Sequence, residues 1–431
     1  MMANLIQKDR EIIWHPYTQQ AEMVDPLGIV SGKGTILIDT NGKKIIDAIS
    51  SWWVTIHGHG HPYIAEKIYE QALQLEQVIF AGFTHEPAVR LADRLLEVLP
   101  GKMSKIFYSD NGSTAVEVAL KMAIQYWRNL GDGKNPRRSK IIALKNSYHG
   151  DTFGAMSVSE RGVFTLAFQD YLFDVEFIDA PTKENIDSVC DRIEQTGEVT
   201  ACFIYEPLVQ GAGGMIMTEQ RLLNQLLEYC KSKRILCIAD EVMTGFGRTG
   251  RLFASEYLSV QPDIICLSKG LTGGTMAMGV TACTAEIHSA YISADKTKTL
   301  FHGHSFTANP IACASALASM DLIMKAETFD AIRRINYQHL QFEKQLKKSV
   351  FFTEKKIQNV RVQGTILAFE LESSSGNYLN TIGKKFAKLS LERNVLLRPL
   401  GNTVYILPPY CITEEESQKV YTTIIKVLGL L

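Results

Sequence analysis

The chain of 431 residues carries 45 basic and 46 acidic side chains, a formal charge of -1 and no polybasic run, so it offers no electrostatic footprint for nucleic acid or an anionic membrane. No stretch is long and apolar enough to span a bilayer, and the start, M-M-A-N-L-I-Q-K-D-R, lacks the apolar core of a signal peptide. Eight cysteines are scattered without a C-x-x-C pair, several of them (Cys202, Cys237, Cys266) inside apolar strand-like runs, which predicts reduced thiols in a soluble cytoplasmic protein with a small-molecule site.

In chain order, residues 34 to 49 (G-T-I-L-I-D-T-N-G-K-K-I-I-D-A-I) predict a hairpin around Asn41-Gly42. Between about 100 and 310, short β-branched runs alternate with helical patterns: K-I-F-Y-S, the helically spaced T-A-V-E-V-A-L-K-M-A-I-Q-Y-W, then K-I-I-A-L, A-C-F-I-Y-E, I-L-C-I-A-D and D-I-I-C-L. Such alternation predicts an α/β fold with a mostly parallel central sheet covered by helices on both faces. G-D-G-K-N-P-R-R at 131 to 138 reads as an exposed loop. A long charged helix from about 320, strands near 357 to 371 and 395 to 407, and a last helix from about 413 predict a small α+β domain. The expected division is residues 1–55 joining the small domain, 56–320 forming the large one, and 321–431 completing the small one.

Two residues stand out at the ends of apolar runs. Lys269 lies in C-L-S-K-G-L-T-G-G and Asp240 ends I-L-C-I-A-D. A lysine held where solvation is poor can lose its proton and condense with an aldehyde, as in the anchoring of pyridoxal phosphate. An acid emerging from a buried strand needs a cationic or donor partner, and a protonated pyridine nitrogen is one. Asp110-Asn111-Gly112-Ser113-Thr114 falls between a strand and a helix, where backbone N–H groups and the Ser113 hydroxyl form an anion site. All three emerge at the carboxyl ends of predicted strands, where open α/β sheets bind ligands. Tyr148 offers an aromatic face for stacking, and Val242, two residues beyond Asp240, can pack on the opposite face of a ring.

Each residue also has an ordinary structural reading. Lys269 alone could cap a strand in solvent, D-N-G-S-T alone could be a plain N-cap, and Tyr148 and Val242 could be surface and core residues. Trp52 and Trp53 in S-S-W-W could be core or could line a long apolar pocket. Arg398, and secondarily Arg248, can hold a substrate carboxylate or serve in structural ion pairs. His57-Gly58-His59-Gly60-His61 lacks a carboxylate or cysteine spaced to complete a metal site, and no metal is expected. The glycines at 210 to 214 and 244 to 250 match no dinucleotide fingerprint, and no G-K-[ST] loop occurs.

Taken together, these blocks resemble the fold-type I pyridoxal-phosphate enzymes of the class III, or omega, aminotransferase family. The resemblance covers nearly the whole chain and rests on W-H-P-Y-T at 14 to 18, S-S-W-W at 50 to 53, D-N-G-S-T-A-V-E-V-A-L-K-M-A at 110 to 123, Y-H-G-D-T at 148 to 152, D-E-V-M-T-G-F-G-R-T-G at 240 to 250 and L-S-K-G-L-T-G-G at 267 to 274. The W-H-P-Y-T and tandem-tryptophan blocks are similar to the branch that serves biotin synthesis. The resemblance implies pyridoxal 5'-phosphate as cofactor, with Lys269 as its Schiff-base lysine, Asp240 on the pyridine nitrogen, Gly112 and Ser113 on the phosphate, and Tyr148 stacked on the ring. It implies that Tyr17, Trp52 and Trp53 line the substrate pocket and that Arg398 meets the substrate carboxylate. In H-G-H-S-F-T-A-N-P at 302 to 310 it implies that the Ser305 hydroxyl contacts the phosphate of the neighbouring subunit's site, hence a homodimer, with His304 also on the cofactor and Gly303 on the substrate. The family often has threonine at Ser305 and proline at His304. Ornithine- and aminobutyrate-type members carry a glutamate where this chain has Ala212, one that neutralises the active-site arginine.

The implied reaction is amination of 8-amino-7-oxononanoate to 7,8-diaminononanoate with S-adenosylmethionine as amino donor. The alternatives are lysine or a diamine as donor, decarboxylation or racemisation on the same cofactor, and a nucleotide-binding or regulatory module without catalysis.

Overall fold

Residues 3–131, 138–372 and 381–431 are described by the computed structural model. Positions 132 to 137 of the expected 131-to-138 loop lie outside the described residues. The central sheet has seven strands: β1 (Met103–Ser109), β2 (Lys140–Leu144), β3 (Glu176–Ile178), β4 (Thr200–Tyr205), β5 (Leu236–Asp240), β6 (Ile264–Leu267) and β7 (Gly279–Thr284). Their order in space is β1-β7-β6-β5-β4-β2-β3. The pairs β6/β5, β5/β4, β4/β2 and β2/β3 are parallel, whereas β7 runs antiparallel to both β6 and β1. β4, β5 and β6 are buried along their whole length, as two covered faces require.

The period-2 alternation of these strands divides the core in two. Phe203, Tyr205, Cys237, Ala239, Ile265 and Leu267 pack into the larger apolar cluster, while Cys202, Ile204, Leu236, Ile238, Ile264 and Cys266 face the other. The second cluster is covered by α1 (Gly112–Leu130), whose Ala115, Val116, Ala119 and Ala123 are fully buried against it. The cysteines of the strand runs are free and buried.

Both ends of the chain meet in a second sheet. Ile29–Lys33, Ile36–Asp39 and Lys44–Asp47 run antiparallel in sequence, and Val395–Leu396 adds in parallel to the last of them. The expected hairpin forms between Ile36–Asp39 and Lys44–Asp47. Asp39 Oδ1 accepts the N–H groups of Asn41 and Lys43, both at 2.8 Å, and Gly42 takes a φ of 79° that suits glycine. A third sheet joins Ile357–Gln363, Ile366–Leu371 and Thr403–Ile406. The long helix expected from about 320 is two helices, Pro310–Ile323 and Ala326–Lys347, and the last helix is Glu414–Leu428 behind a Thr413 capping box.

Candidate active site

The sheet delivers its chemistry at one edge. β1 runs into Asp110-Asn111 and α1, β5 ends on Asp240, and β6 ends just before Ser268-Lys269. At the start of α1 the Asn111 side chain accepts the Thr114 N–H at 2.9 Å, while the Thr114 hydroxyl oxygen accepts the Asn111 N–H at 3.1 Å. The first-turn N–H groups of Gly112 and Ser113 remain for an anion. Gly112 is small because Val242 crosses it: a Cβ there would lie 2.8 Å from Val242 Cγ1. Gly150, at φ 133°, lets the Tyr148-to-Asp151 turn rest on Ser113, whose hydroxyl oxygen accepts the Asp151 N–H at 3.3 Å.

Lys269 adopts a left-handed backbone, φ 43°, and its Nζ sits 4.9 Å from the centroid of a Trp53 ring. Burial pushes its ammonium below the ordinary lysine range, against the pull of Asp240 and Glu206. Asp240 is buried. One carboxylate oxygen accepts the Val242 N–H at 3.0 Å, and the other is 2.7 Å from His149 Nδ1. Glu206, also buried, accepts the N–H groups of Tyr148 at 3.1 Å and Gly211 at 2.7 Å. Burial raises its carboxyl to about 7, and the neighbouring Asp240 adds to the rise. His149 and Glu206 were not singled out from sequence, although Y-H-G and the E-P following an apolar run mark where both strands stop.

These groups wall one cavity of about 450 Å³, a volume usual for small-molecule sites. Gly112, Ser113, Tyr148, Asp240, Val242 and Lys269 line it together with Tyr17, Trp52, Trp53 and Arg398. Arg398 places its guanidinium carbon 4.4 Å from the Trp52 ring centroid, and Trp53 Nε1 donates to the Tyr405 hydroxyl at 2.9 Å. The Tyr17 hydroxyl lies 3.2 Å from that of Tyr148 and donates to Asp151, while its ring meets Trp52 and Phe164 edge-on. Burial raises the Tyr148 phenol well above its ordinary range, so it stays protonated at any working pH. Tyr17, Ser50, Ser51 and Trp53 all take positive φ, between 53° and 70°, a concentration of backbone strain along one wall.

Three sequence candidates lie elsewhere in the single chain. Gly303, His304 and Ser305 do not line the cavity: Ser305 is exposed with its carbonyl accepting from Gln77, and His304 Nε2 is 3.9 Å from Asp110. Arg248, the second carboxylate candidate, is buried outside the cavity and bonded to backbone. It is 1% exposed, donates to the carbonyls of Pro408 and Trp53, and lies over Tyr410. The three histidines of residues 57 to 61 do not converge on a point, since His57 reaches Ser319 and His59 reaches Asp47. Among the described residues no group of three or more histidine, cysteine or acidic side chains could hold a metal ion, and no helix is long and apolar enough to cross a membrane.

The wall fits pyridoxal phosphate by its own chemistry: an amine destabilised as a cation, a buried carboxylate fixed by two partners, and an anion-binding helix start narrowed by the Gly112–Val242 contact. A family model described as "Aminotransferase class-III" matches residues 17–428. The chain belongs to the class III aminotransferases. It is therefore a pyridoxal-phosphate-dependent aminotransferase of the α/β type expected from its strand pattern. The aminotransferase is 47% identical over 427 residues to the adenosylmethionine-8-amino-7-oxononanoate aminotransferase of Synechococcus elongatus, covering 96% of this chain and 98% of that protein. It is 39% identical to the enzyme of that name from Geobacter sulfurreducens, covering 95% and 93%. Among solved structures, that of the same-named enzyme from Methanocaldococcus jannaschii superposes with a TM-score of 0.92 at 34% identity, covering 99% of each chain. An omega transaminase of Pseudomonas jessenii in complex with PMP superposes with a TM-score of 0.91 at 26% identity, covering 99% of this aminotransferase and 97% of that chain.

Proposed function

We propose that the aminotransferase takes the amino group of S-adenosylmethionine and gives it to the 7-keto group of 8-amino-7-oxononanoate, forming the 7,8-diaminononanoate needed for biotin. The observation that carries the reading is one cavity walled by Lys269, Asp240, the start of α1, the tandem tryptophans and Arg398. The similarity to several proteins named for this reaction supports the choice of substrates.

Pyridoxal phosphate, when bound, supplies the electron sink that makes a substrate Cα–H acidic. Lys269 is suited to hold it covalently and then, as a neutral amine, to take the Cα proton and return it elsewhere. Asp240, held by His149 and the Val242 N–H, would hold a proton on the pyridine nitrogen. Gly112 and Ser113 would receive its phosphate, and Tyr148 and Val242, on the same cavity wall, would flank its ring. Arg398 is assigned to the carboxylate of the keto acid. Its face over Trp52 leaves the edge of the guanidinium, where the donors lie, for a bidentate contact. Ala212 lines the same cavity and brings no anion to neutralise that arginine.

Gly303, His304 and Ser305 belong, in this reading, to the second site of a homodimer. They are outside their own chain's cavity, and Gly303 and Ser305 are exposed. The same reading places the enzyme in the cytoplasm, with the 56–320 unit carrying the cofactor and the units 1–55 and 321–431 carrying Trp52, Trp53 and Arg398. Absorbance titration of the holoenzyme with S-adenosylmethionine should convert the cofactor spectrum, and adding 8-amino-7-oxononanoate should restore it with release of the diamine. Conversion by lysine or a diamine but not by S-adenosylmethionine would overturn the donor assignment.

A further inference from the structure

The H-G-H-G-H segment lies behind two walls of the site and reaches them through intervening residues. Gly58 and Gly60 take φ values of 84° and 61°, and a Cβ on them would lie 2.8 Å from the Gly34 carbonyl oxygen and 2.7 Å from that of Gly32. Gly32 in turn leaves room for His59, since a Cβ at Gly32 would be 2.7 Å from that of the histidine. These absent side chains let the segment lie against strand Ile29–Lys33 and its turn, where His59 pairs with Gly34 through backbone bonds of 2.7 and 3.0 Å. The imidazole is then aimed inward. Its Nε2 is 2.8 Å from Asp47 Oδ2.

Asp47 is fully buried and spends its remaining capacity on the tryptophan turn. Oδ1 accepts the Ile49 N–H at 3.0 Å, and Oδ2 also accepts the Ser51 N–H at 2.5 Å. Between and beyond these bonds Ser50, Ser51 and Trp53 have φ of 53°, 60° and 70°. Non-glycine residues hold such a run only where the surroundings over-determine it. Ser50 Oγ donates to the Leu407 carbonyl at 2.8 Å and Arg248 donates to the Trp53 carbonyl at 3.1 Å, so the turn is tied on three sides. The other end of the motif reaches the lysine. His57 Nε2 is 3.1 Å from Ser319 Oγ, which donates to the carbonyl of Gly270, the residue after Lys269, at 3.1 Å. Because that hydroxyl proton is spent on Gly270, His57 supplies the proton of its own bond from Nε2. Burial pushes its imidazole down to about 3.

We propose that His59 and Asp47 are positioning residues for substrate: without touching it, they fix the Ser50–Trp53 turn so that Trp52 and Trp53 form the cavity wall. This rests on the transamination assigned above. The test compares holoenzymes of the wild type, His59→Ala, His59→Gln and Asp47→Asn in KM, kcat, cofactor absorbance and Tm. The glutamine amide can present its N–H where Nε2 does. We expect KM for both substrates to rise about tenfold or more in His59→Ala and Asp47→Asn at wild-type cofactor loading, with kcat changed less, and His59→Gln to return KM to within about threefold of wild type. Unchanged KM in His59→Ala overturns the proposal, and so does a KM that tracks loss of Tm or cofactor loading across the set. If Asp47→Asn does not fold, the His59 pair decides alone. If the wild type fails to turn over the assigned substrates, the functional reading falls separately, and the same KM comparison with a simple amine donor that converts the cofactor spectrum decides the bracket.

Discussion

Lys269 is held between opposed influences, with burial and the charge of Arg248 working against its ammonium while Asp240 and Glu206 favour it. A catalytic amine needs that balance, because a lysine at its ordinary value would be almost wholly protonated and unable to accept the Cα proton. Lys269→Ala should abolish the absorbance band of the lysine–cofactor Schiff base and lower kcat about 10²–10⁴-fold, measured on protein reconstituted with pyridoxal phosphate. A retained Schiff-base band and turnover would remove Lys269 from its role. Arg398 tests the other end of the cavity. Losing a charge-assisted contact worth about 1.5–3 kcal/mol, Arg398→Ala should raise KM for the keto acid about ten- to hundredfold while leaving the cofactor absorbance intact. An equal loss of cofactor would mean that this arginine serves the fold.

The elements around the site are joined by close approaches that small residues permit. Gly112→Ala would drive a methyl against Val242 Cγ1, at 2.8 Å, and so disturb the first turn of α1 and the ring's flank together. Overpacking of this kind costs about 1–3 kcal/mol. Expressed in the bound state, it should weaken pyridoxal-phosphate affinity about tenfold, readable by equilibrium dialysis, with the helix content by circular dichroism unchanged. Much of this architecture was legible beforehand: the five apolar runs became β1, β2, β4, β5 and β6, and the Asn41-Gly42 hairpin and the α1 start fell where period and turn chemistry put them. β7 was not, because G-V-T-A-C-T is a short run without clear alternation, and only its pairing between β6 and β1 makes it a strand. At the site, the residues that emit a local signal were found, a lysine and an acid ending apolar runs and a capped helix start. His149 and Glu206 escaped notice because their importance lies in partners 91 and 58 positions away, which no local pattern encodes. Arg248 misled for the same reason, since only the fold shows its guanidinium spent on the carbonyls of Pro408 and Trp53.

At the scale of the whole molecule, buried imidazoles tie stability to pH. His339, 2% exposed, lies 2.8 Å from the Tyr421 hydroxyl through Nδ1 and 3.1 Å from the Thr365 carbonyl through Nε2, and burial pushes it down to about 4. Its folded value is below the unfolded one of about 6.5, so below that pH the unfolded chain binds the extra proton. The contribution is therefore whole above pH 6.5 and is lost as pH falls toward 4, at about 1.4 kcal/mol per pH unit. Denaturant midpoints across that window should fall less steeply in His339→Gln than in the wild type, and parallel slopes would refute the assignment. The proposed homodimer is checked at this scale too: sedimentation velocity at micromolar concentration should give a single species of twice the chain mass, and a monomer retaining full activity would contradict a shared site.

The reversed strand β7 has a metric consequence. Strands lie about 4.8 Å apart, so Lys269 and Asp240, leaving adjacent β6 and β5, start one spacing from each other. The anion-binding turn after β1 starts two spacings from the lysine, because β7 is interposed and, running the opposite way, sends its own carboxyl end to the far side. The sheet edge thus works as a ruler graduated in strands, with the anion-binding turn toward one margin and Asp240 toward the middle. A ligand that met all three groups would lie across the strands rather than along them, its anionic end toward β1, with the side chains of Lys269 and Asp240 making up the remaining distance.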